Sequence, residues 1–351
     1  MSSNEPRRAP VMADVARLAG VSHQTVSRVL NDHPNVRSET RDRVLSAIDD
    51  LGYRRNFAAR ALVTRHTRTL GVVSFDTTLY GPASTVYALE QAARGAGYFV
   101  SIVSLKTITR ASVLEAIGFL SDQGVDGIVV VAPQRSAARA LADLPTGVPA
   151  VAVEGGRAGG VPVVSVDQVA GARQAVEHLL DLGHETVWHV AGPADWLEAE
   201  ERVRGWRKAL TAAGRTVPEP VPGDWSPRAG YEAGRRLAKV EDLTAVFVAN
   251  DQMALGLLRA FTELGVKVPG HVSVVGFDDI PEAEFFSPPL TTVRQDFAEV
   301  GRRCIEVLLR RIDSGDGAGY ERALVPAEFV VRASTGRAHP ERRAAAAARL
   351  N

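Results

Sequence analysis

The sequence predicts a small all-α head joined by a short connector to a doubly wound α/β body with room for two subdomains. Three observations predict it. The residue pattern changes near residue 68, from short helical stripes to β-rich apolar runs. From Leu70 onward those runs alternate with helical stretches, as parallel strands covered on both faces do. A chain of 351 residues also exceeds what one ordinary core holds.

In the head, Val15, Leu18 and Ala19 recur at helical spacing over 13–19, and Gly20 supplies a stop. Ser22 is a good N-cap for a second helix over 24–31, and His33-Pro34-Asn35 is a breaker. Ser38 can cap a third helix running to Leu51, with Val44, Leu45, Ile48 and Leu51 as its apolar stripe and Gly52 as its C′ residue. Asn56 can cap a short helix over 57–62. Too few apolar residues are available to bury it, so it is expected to be helical only conditionally.

In the body, strands are expected at 70–75, 98–103, 127–131, 148–153, 163–166, 186–190, 244–248, 271–276 and 290–293. Helices are expected at 83–96, 112–123, 170–182, 198–213, 227–239, 253–264 and 297–313. The expected division is a head over 1–55, a hinge helix and linker over 56–68, a body over 69–335, and a loose tail over 336–351 with an Ala/Arg run at 342–350.

Basic and acidic residues are equal in number, 41 each, but unevenly placed. Residues 1–68 hold 12 arginines against 7 acidic residues, so a basic head sits on a mildly acidic body. That asymmetry fits a head that touches a polyanion, although a solvated basic surface gives the same count. The single Cys304 excludes an intramolecular disulfide and fits a reducing compartment. No apolar run reaches membrane-span length, and no apolar stretch follows the charged N-terminus, so no membrane partner and a cytoplasmic location are expected. Phosphate-binding glycine motifs and a Gly-x-Ser-x-Gly elbow are missing. His184 and His189 are five residues apart, not the four that place two ligands on one helix face. No catalytic residue, cofactor or metal is expected.

The chemistry concentrates in two places. Between Asp14 and Asn31 two helices meet at a turn, with Val15, Val21, Val26 and Val29 placed to close the angle. His23, Gln24, Ser27 and Arg28 are left facing out. Gln24 and Arg28 are neighbours one helical turn apart, and these side chains match adenine and guanine edges in a major groove. Thr25, Ser27 and Asn31 suit phosphate contact. The second place is a set of polar groups just beyond apolar runs, where parallel sheets bind ligands. Asn250-Asp251 follow 245–249, Asp278-Asp279 follow 273–277, and Gln295-Asp296-Phe297 follow a strand. Arg202 and Trp225 complete a kit of charged, amide and flat apolar groups suited to sugar hydroxyls and pyranose faces. Singly, each has a commonplace reading: an Asp after a strand caps a helix, and a Trp fills a core.

The stretch ADVARLAGVSHQTVSRVLN resembles the DNA-binding head of the LacI/GalR family of bacterial transcription repressors. The resemblance runs from about residue 11 to 335 through HLLDLGH, RVRGWRKAL, GDWS, VANDQMALG, VSVVGFDD and PPLTTVRQDF, and these blocks look more like lactose-sensing members than purine-sensing ones. It implies a periplasmic-binding-protein-like core with chain crossings at Asp167 to Gly171, 291–297 and 325–329. It implies that His23, Gln24 and Arg28 read bases, and that a hinge helix carrying Asn56, Ala59 and Arg60 to Leu62 enters the minor groove with Leu62 as a wedge. It further implies that Arg202, Asn250, Asp278 and Gln295 bind effector hydroxyls, with Glu154 beside them. Trp225 and Phe297 would line the pocket, opposite Leu79 and Pro82. Some positions depart from the family pattern. Val11 replaces a Thr cap, Arg55 a proline, Glu154 an aspartate, Val131 an asparagine and Glu198 a serine.

The resulting reading is a homodimeric repressor of a pseudo-palindromic operator, controlled by a small sugar, with a galactoside inducer favoured. The C-terminal end lacks a leucine heptad, so a dimer rather than a tetramer is expected. A sugar-processing enzyme and a periplasmic-type sugar-binding protein remain as alternatives, and the sign of regulation stays open.

Overall fold

The computed structural model describes residues 8–54, 66–75, 77–131, 133–141, 147–154, 160–314 and 322–339. Arg55, Asn56, Ala59, Arg60, Leu62 and the 342–350 run lie outside the described residues. The chain forms two compact units, Met1–Thr67 and Arg68–Asn351.

The first unit contains helices α1 (Met12–Ala19), α2 (His23–Leu30) and α3 (Ser38–Leu51). Gly20 takes φ +63, and the Gly20 and Val21 amides donate back to the Arg17 and Ala16 carbonyls, which ends α1 and turns the chain. Val11 brings no side-chain cap to α1. The Asp14 carboxylate instead reaches back to accept from the Val11 amide at 3.0 Å. Ser22 Oγ accepts from the Thr25 amide at 3.1 Å and starts α2 as expected. Two local expectations change. Ser38 is the first residue of α3, not its cap. Leu45 is 46% exposed, and the buried stripe is Val44 and Ala47 flanked by Ile48 and Leu51, because one residue's step rotates Leu45 about 100° away.

The second unit holds two α/β subdomains. In the first, β1 (Thr69–Phe75), β2 (Phe99–Leu105), β3 (Gly127–Val131), β4 (Ala150–Val153) and β5 (Val163–Val166) alternate with α4 (Tyr80–Gly95), α5 (Arg110–Asp122) and α6 (Arg135–Leu141). The second subdomain carries α7 (Gln168–Asp181), β6 (Trp188–Val190), α8 (Leu197–Ala212), α9 (Pro227–Leu237), β7 (Ala245–Val248), α10 (Asp251–Glu263) and β8 (Ser273–Val275). The chain continues through a 3-10 turn (Pro281–Phe285), β9 (Thr292–Arg294), α11 (Phe297–Ser314), β10 (Arg322–Val325) and β11 (Glu328–Val330).

The larger sheet is all parallel, in the order β10-β5-β4-β3-β1-β2, and the smaller is parallel β6-β7-β8. Strands buried on both faces explain the nearly unbroken Val-rich runs: every residue of β3, β4 and β5 is buried. One core, with Leu70, Val129, Val151 and Val164, is sealed by Val300, Cys304 and Leu308 of α11. The chain therefore returns to the first subdomain after building the second. It crosses between β5 and α7, between β9 and α11, and between β10 and β11, where β9 and β11 pair antiparallel. Strands β10 and β11 and helix α6 were not legible in the sequence pattern. Residues 336 and 338, placed in the loose tail by the sequence reading, are pinned instead: the Gly336 amide donates to Ser273 Oγ at 3.0 Å and the Ala338 amide to the Leu182 carbonyl at 3.0 Å.

Helices α9 and α10 approach until backbone meets backbone. A Cβ on Gly256 would lie 1.8 Å from the Pro227 carbonyl oxygen, and one on Gly230 would lie 1.9 Å from that of Met253. Gly256→Ala should therefore force the helices apart and lower stability by about 3 kcal/mol or more, the upper range for overpacking. The check is the urea midpoint at unchanged slope. A loss below about 0.5 kcal/mol, the size of an ordinary surface substitution, would show that the contact yields easily.

Candidate functional site

On α2, Val26 and Val29 are buried, which fixes the rotation of the helix. His23, Gln24, Arg28 and Asn31 are exposed, while Thr25 and Ser27 are half-buried. The Thr25 hydroxyl lies 2.9 Å from Ser22 Oγ, and Asn31 Nδ2 lies 3.5 Å from Ser27 Oγ. Gln24 and Arg28 thus project from one face, free of the core, at the start of a capped helix with no acidic residue in its first turn. Amide and guanidinium groups exposed in this way have the chemistry to meet base edges and phosphates.

In the body, Leu79, Pro82, Arg202, Trp225, Asn250, Asp278 and Gln295 line one cavity between the subdomains, together with Tyr80, Trp196, Glu198 and Gln252. Its centre is a closed ring of bonds. Arg202 Nε donates to Gln168 Oε1 at 2.9 Å, Gln168 Nε2 to Gln295 Oε1 at 2.8 Å, and Gln295 Nε2 to Asp278 Oδ1 at 2.7 Å. The ring closes with Asp278 Oδ1 3.5 Å from Arg202 Nη2, and Glu198 Oε2 lies 3.6 Å from the same nitrogen. Arg202 Nη1 donates to the Ala249 carbonyl, and the guanidinium lies 3.9 Å over the Phe277 ring. The ring fixes both glutamine amides, so the second oxygen of Asp278 is presented in a set direction.

Asn250 caps α10 by accepting from the Met253 amide at 2.9 Å, and its Nδ2 donates to the Trp225 carbonyl at 3.2 Å and to Gln252 Oε1 at 2.9 Å. Trp225 sits at φ +74 with its indole packed on Gly192, where a Cβ would lie 2.2 Å from the ring. Its Nε1 is buried and, among the described residues, has no hydrogen-bond partner. Glu154, Asp278 and Asp279 also have positive φ. A non-glycine residue held there costs on the order of 1–3 kcal/mol, and such strain collects at functional sites.

Two expectations on the cavity change. Phe297 does not line it. As the first residue of α11 it packs edge-on against Tyr80, ring centroids 5.9 Å apart, and lines a neighbouring groove of about 1080 Å³. Glu154 is buried behind the cavity, where its carboxylate accepts from the Val166 amide at 2.9 Å. Tyr80, Trp196, Gln252 and Gln168 were not singled out from sequence. His184 and His189 are packing groups. His184 contacts Thr244, Ser273 and the Gly336 carbonyl, and His189 stacks on Phe247 at 4.7 Å, where burial pushes its imidazole down to about 4.

The carboxyls share one cation. Burial pushes Glu198 up to about 7 and Asp278 up to about 6, with Arg202 opposing the shift in both. Glu154 rises well above its ordinary range through burial and then through the nearby charge of Glu198. Asp251, buried at the head of α10, is raised by burial and by Asp278. Burial around one cation thus makes each of these carboxyls hold a proton more readily than an exposed carboxyl does.

With this geometry in hand, comparison with known proteins decides the family. A model described as bacterial regulatory proteins, lacI family, matches residues 11–56, and one described as a periplasmic binding protein-like domain matches 176–335. The lactose operon repressor of Escherichia coli is 35% identical over 329 residues, covering 92% of this chain and 89% of that protein. The chain belongs to the lacI family of bacterial regulatory proteins. Within the family, the HTH-type transcriptional regulator CelR of Thermobifida fusca is 37% identical over 343 residues, covering 94% of this chain and 99% of CelR. The crystal structure of a lac repressor dimer bound to operator and the anti-inducer ONPF matches with TM-score 0.83 at 33% identity, covering 94% and 100% of the two chains. A CelR–cellobiose complex matches with TM-score 0.66 at 33% identity, covering 93% and 99%. This lacI-family chain is thus a DNA-binding transcriptional regulator with an effector domain, and its relatives are regulators rather than enzymes. No helix among the described residues is long and apolar enough to cross a membrane.

The raised Glu198 has a thermodynamic consequence. Between its ordinary value of 4.5 and about 7 the folded state holds a proton that the unfolded chain has released, so stability falls as pH rises through that window. Glu198→Gln removes this loss. The variant should gain on the parent between pH 5 and pH 7.5, by on the order of 2 kcal/mol, in paired thermal melts. A difference that stays constant with pH would show that Glu198 is ionised throughout.

Proposed function

We propose that this lacI-family regulator is a homodimeric repressor of a pseudo-palindromic operator and that a small sugar, in first place a galactoside inducer, relieves its hold. In this reading residues 1–55 bind DNA, 56–68 connect, and 69–335 bind effector and dimerise. His23, Gln24 and Arg28 face base edges. Thr25, Ser27 and Asn31 face phosphates, and Asn56, Ala59 and Leu62 enter the minor groove. The observation that carries the effector reading is the convergence on one cavity of Arg202, Asp278 and Gln295, locked in a ring, with a buried Trp225 Nε1 that lacks an acceptor. A sugar hydroxyl supplies that acceptor and the indole packs on the sugar's apolar face. Leu79 and Pro82 form the opposite lip, Glu154 lies behind the cavity with Arg202 favouring its charged form and Glu198 opposing it, and Asn250 holds the Trp225 loop. Phe297 acts on the cavity from outside it, through its ring against Tyr80 and its amide donating to the Gln295 carbonyl at 3.1 Å.

A β-glucoside such as cellobiose is the second reading. It is favoured by the likeness to the CelR–cellobiose complex along 93% of this chain and by Glu154 and Glu198, carboxylates that change the hydroxyl readout from the pattern the lactose-sensing blocks suggest. Fluorescence anisotropy of a labelled duplex, titrated with lactose, methyl galactoside and cellobiose, separates the two. Release by none of these sugars, with firm duplex binding, would remove the sugar reading and leave the DNA reading standing.

Two variants probe the two sites. Arg28→Ala should cost about 1–3 kcal/mol on the preferred duplex and relax selectivity at one base pair. An equal loss on every sequence would make Arg28 a phosphate contact. Asp278→Asn should leave duplex affinity without sugar unchanged while raising the sugar concentration for half-release about tenfold or more, the loss of one charge-assisted bond. An unshifted half-release point would take Asp278 out of the binding set.

A further inference from the structure

The cavity described above has a volume of about 30 Å³, room for one water. Ligand pockets usually measure about 300–1,000 Å³. Its residues are those of a binding site, yet the space is filled. Trp196 is one of its walls: it is 5% exposed and packs edge-on against Trp225, ring centroids 5.6 Å apart. On its other side it meets Phe75 of β1, in the first subdomain, at 6.4 Å.

The segment that carries Trp196 is itself fastened across the subdomain boundary. The Leu197 amide donates to the Pro133 carbonyl at 2.8 Å, and the Arg135 amide donates to the Asp195 carbonyl at 3.1 Å. Gln134 and Trp196 form an antiparallel bridge between these bonds, and Arg135 Nη2 pairs with Glu200 Oε2 at 2.7 Å. Residues 133–135 follow β3 in the first subdomain, and 193–200 lead into α8 in the second. The contact is therefore a further link between the subdomains, non-covalent and separable like the Arg322–Glu201 ion pair at 3.1 Å, beside three covalent crossings that cannot separate.

We infer that residues 193–197 are a strap and that the Trp196 indole is a gate that occupies the effector's place, so that binding must swing Trp196 aside and part the strap from 133–135. This rests on the effector reading of the cavity and deepens it. The apparent affinity of such a site is its intrinsic affinity multiplied by the fraction of molecules with the gate open. Weakening the strap must therefore strengthen binding, the opposite of what removing a wall of the pocket does. Arg135 and Glu200 are both about half exposed, so their ion pair shifts the equilibrium by no more than about fivefold. Arg135 can be replaced without opening the core.

The test uses the full-length protein, lactose and cellobiose as probes, and calorimetric and stopped-flow measurement. Arg135→Ala should bind the recognised sugar about twofold to fivefold more tightly, with the gain in the association rate. Trp196→Ala should show a larger gain. Weaker binding by Trp196→Ala, or no change in Arg135→Ala, would overturn the gate. If Trp196→Ala does not fold, Arg135→Ala decides alone. If the parent binds neither sugar, the effector reading fails on its own terms, and hydrogen exchange of the ligand-free protein still judges the strap. The Leu197 amide should be protected in the parent and exchange severalfold faster in Arg135→Ala, whereas equal rates would show that the strap does not open there.

Discussion

A guanidinium that is only 2% exposed cannot stay unpaired, and the cleft is organised around that requirement. Arg202 reaches from α8 to the end of β7 at Ala249, to α7 through Gln168, and to the segment after β8 through Asp278. Gln295, beyond β9, completes the ring. Four chain segments thus have their positions set by one side chain. Two of them, at Gln168 and Gln295, lie at crossings between the subdomains. A ligand that rearranges the bonds of Arg202 therefore acts directly on segments that join the subdomains. Replacing Arg202 would leave Glu198, Asp278 and Glu154 facing one another without a cation, so its loss is expected to damage the fold as well as the site.

The same region concentrates stored strain. Trp225, Asp278, Asp279 and Glu154 all hold left-handed backbone without being glycine. Packing over-determines them: Trp225 is trapped against Gly192, Asp279 is tied to Arg294 at 2.6 Å and to Arg332 at 2.7 Å, and Glu154 is tied to the Val166 amide. Strain of this kind is worth keeping where a site must present oxygens in fixed directions before its ligand arrives. The head follows a simpler logic. Its core is small, its helix ends are closed locally, and what remains on the α2 surface is free to meet a duplex.

Much of this was legible in the sequence because the deciding forces are local. The Gly20 turn and the Ser22 cap depend on residues within five positions of each other, so the helix-turn-helix could be read directly. The Val-rich strands announced themselves because both faces are buried. Legibility failed where the partner is distant or the element short. Strands β10 and β11 carry Arg322 and Glu328 and have no long apolar run, and they exist through pairing with β5 and β9. Gln168 lay ahead of the helix expected over 170–182 with no mark of its own; its role appears only when residue 295 arrives beside it. Phe297 follows Gln295 by two positions and was placed in the same cavity, but the start of α11 turns the ring onto Tyr80. Trp196 had a signal in hindsight, a large aromatic just ahead of a helix with an acidic first turn. Nothing in the sequence said that it would wall a cavity.

The central claim is that duplex and sugar compete through the shape of one protein, and linkage makes this measurable without structural assumptions. If the sugar weakens duplex binding by some factor, the duplex must weaken sugar binding by the same factor. Calorimetric titration of the sugar into free protein and into protein saturated with its preferred duplex tests this most directly. The account predicts weaker sugar binding in the complex, by the factor found in the reverse experiment. Equal affinity in the two titrations would contradict it, because a ligand that binds both states alike shifts neither.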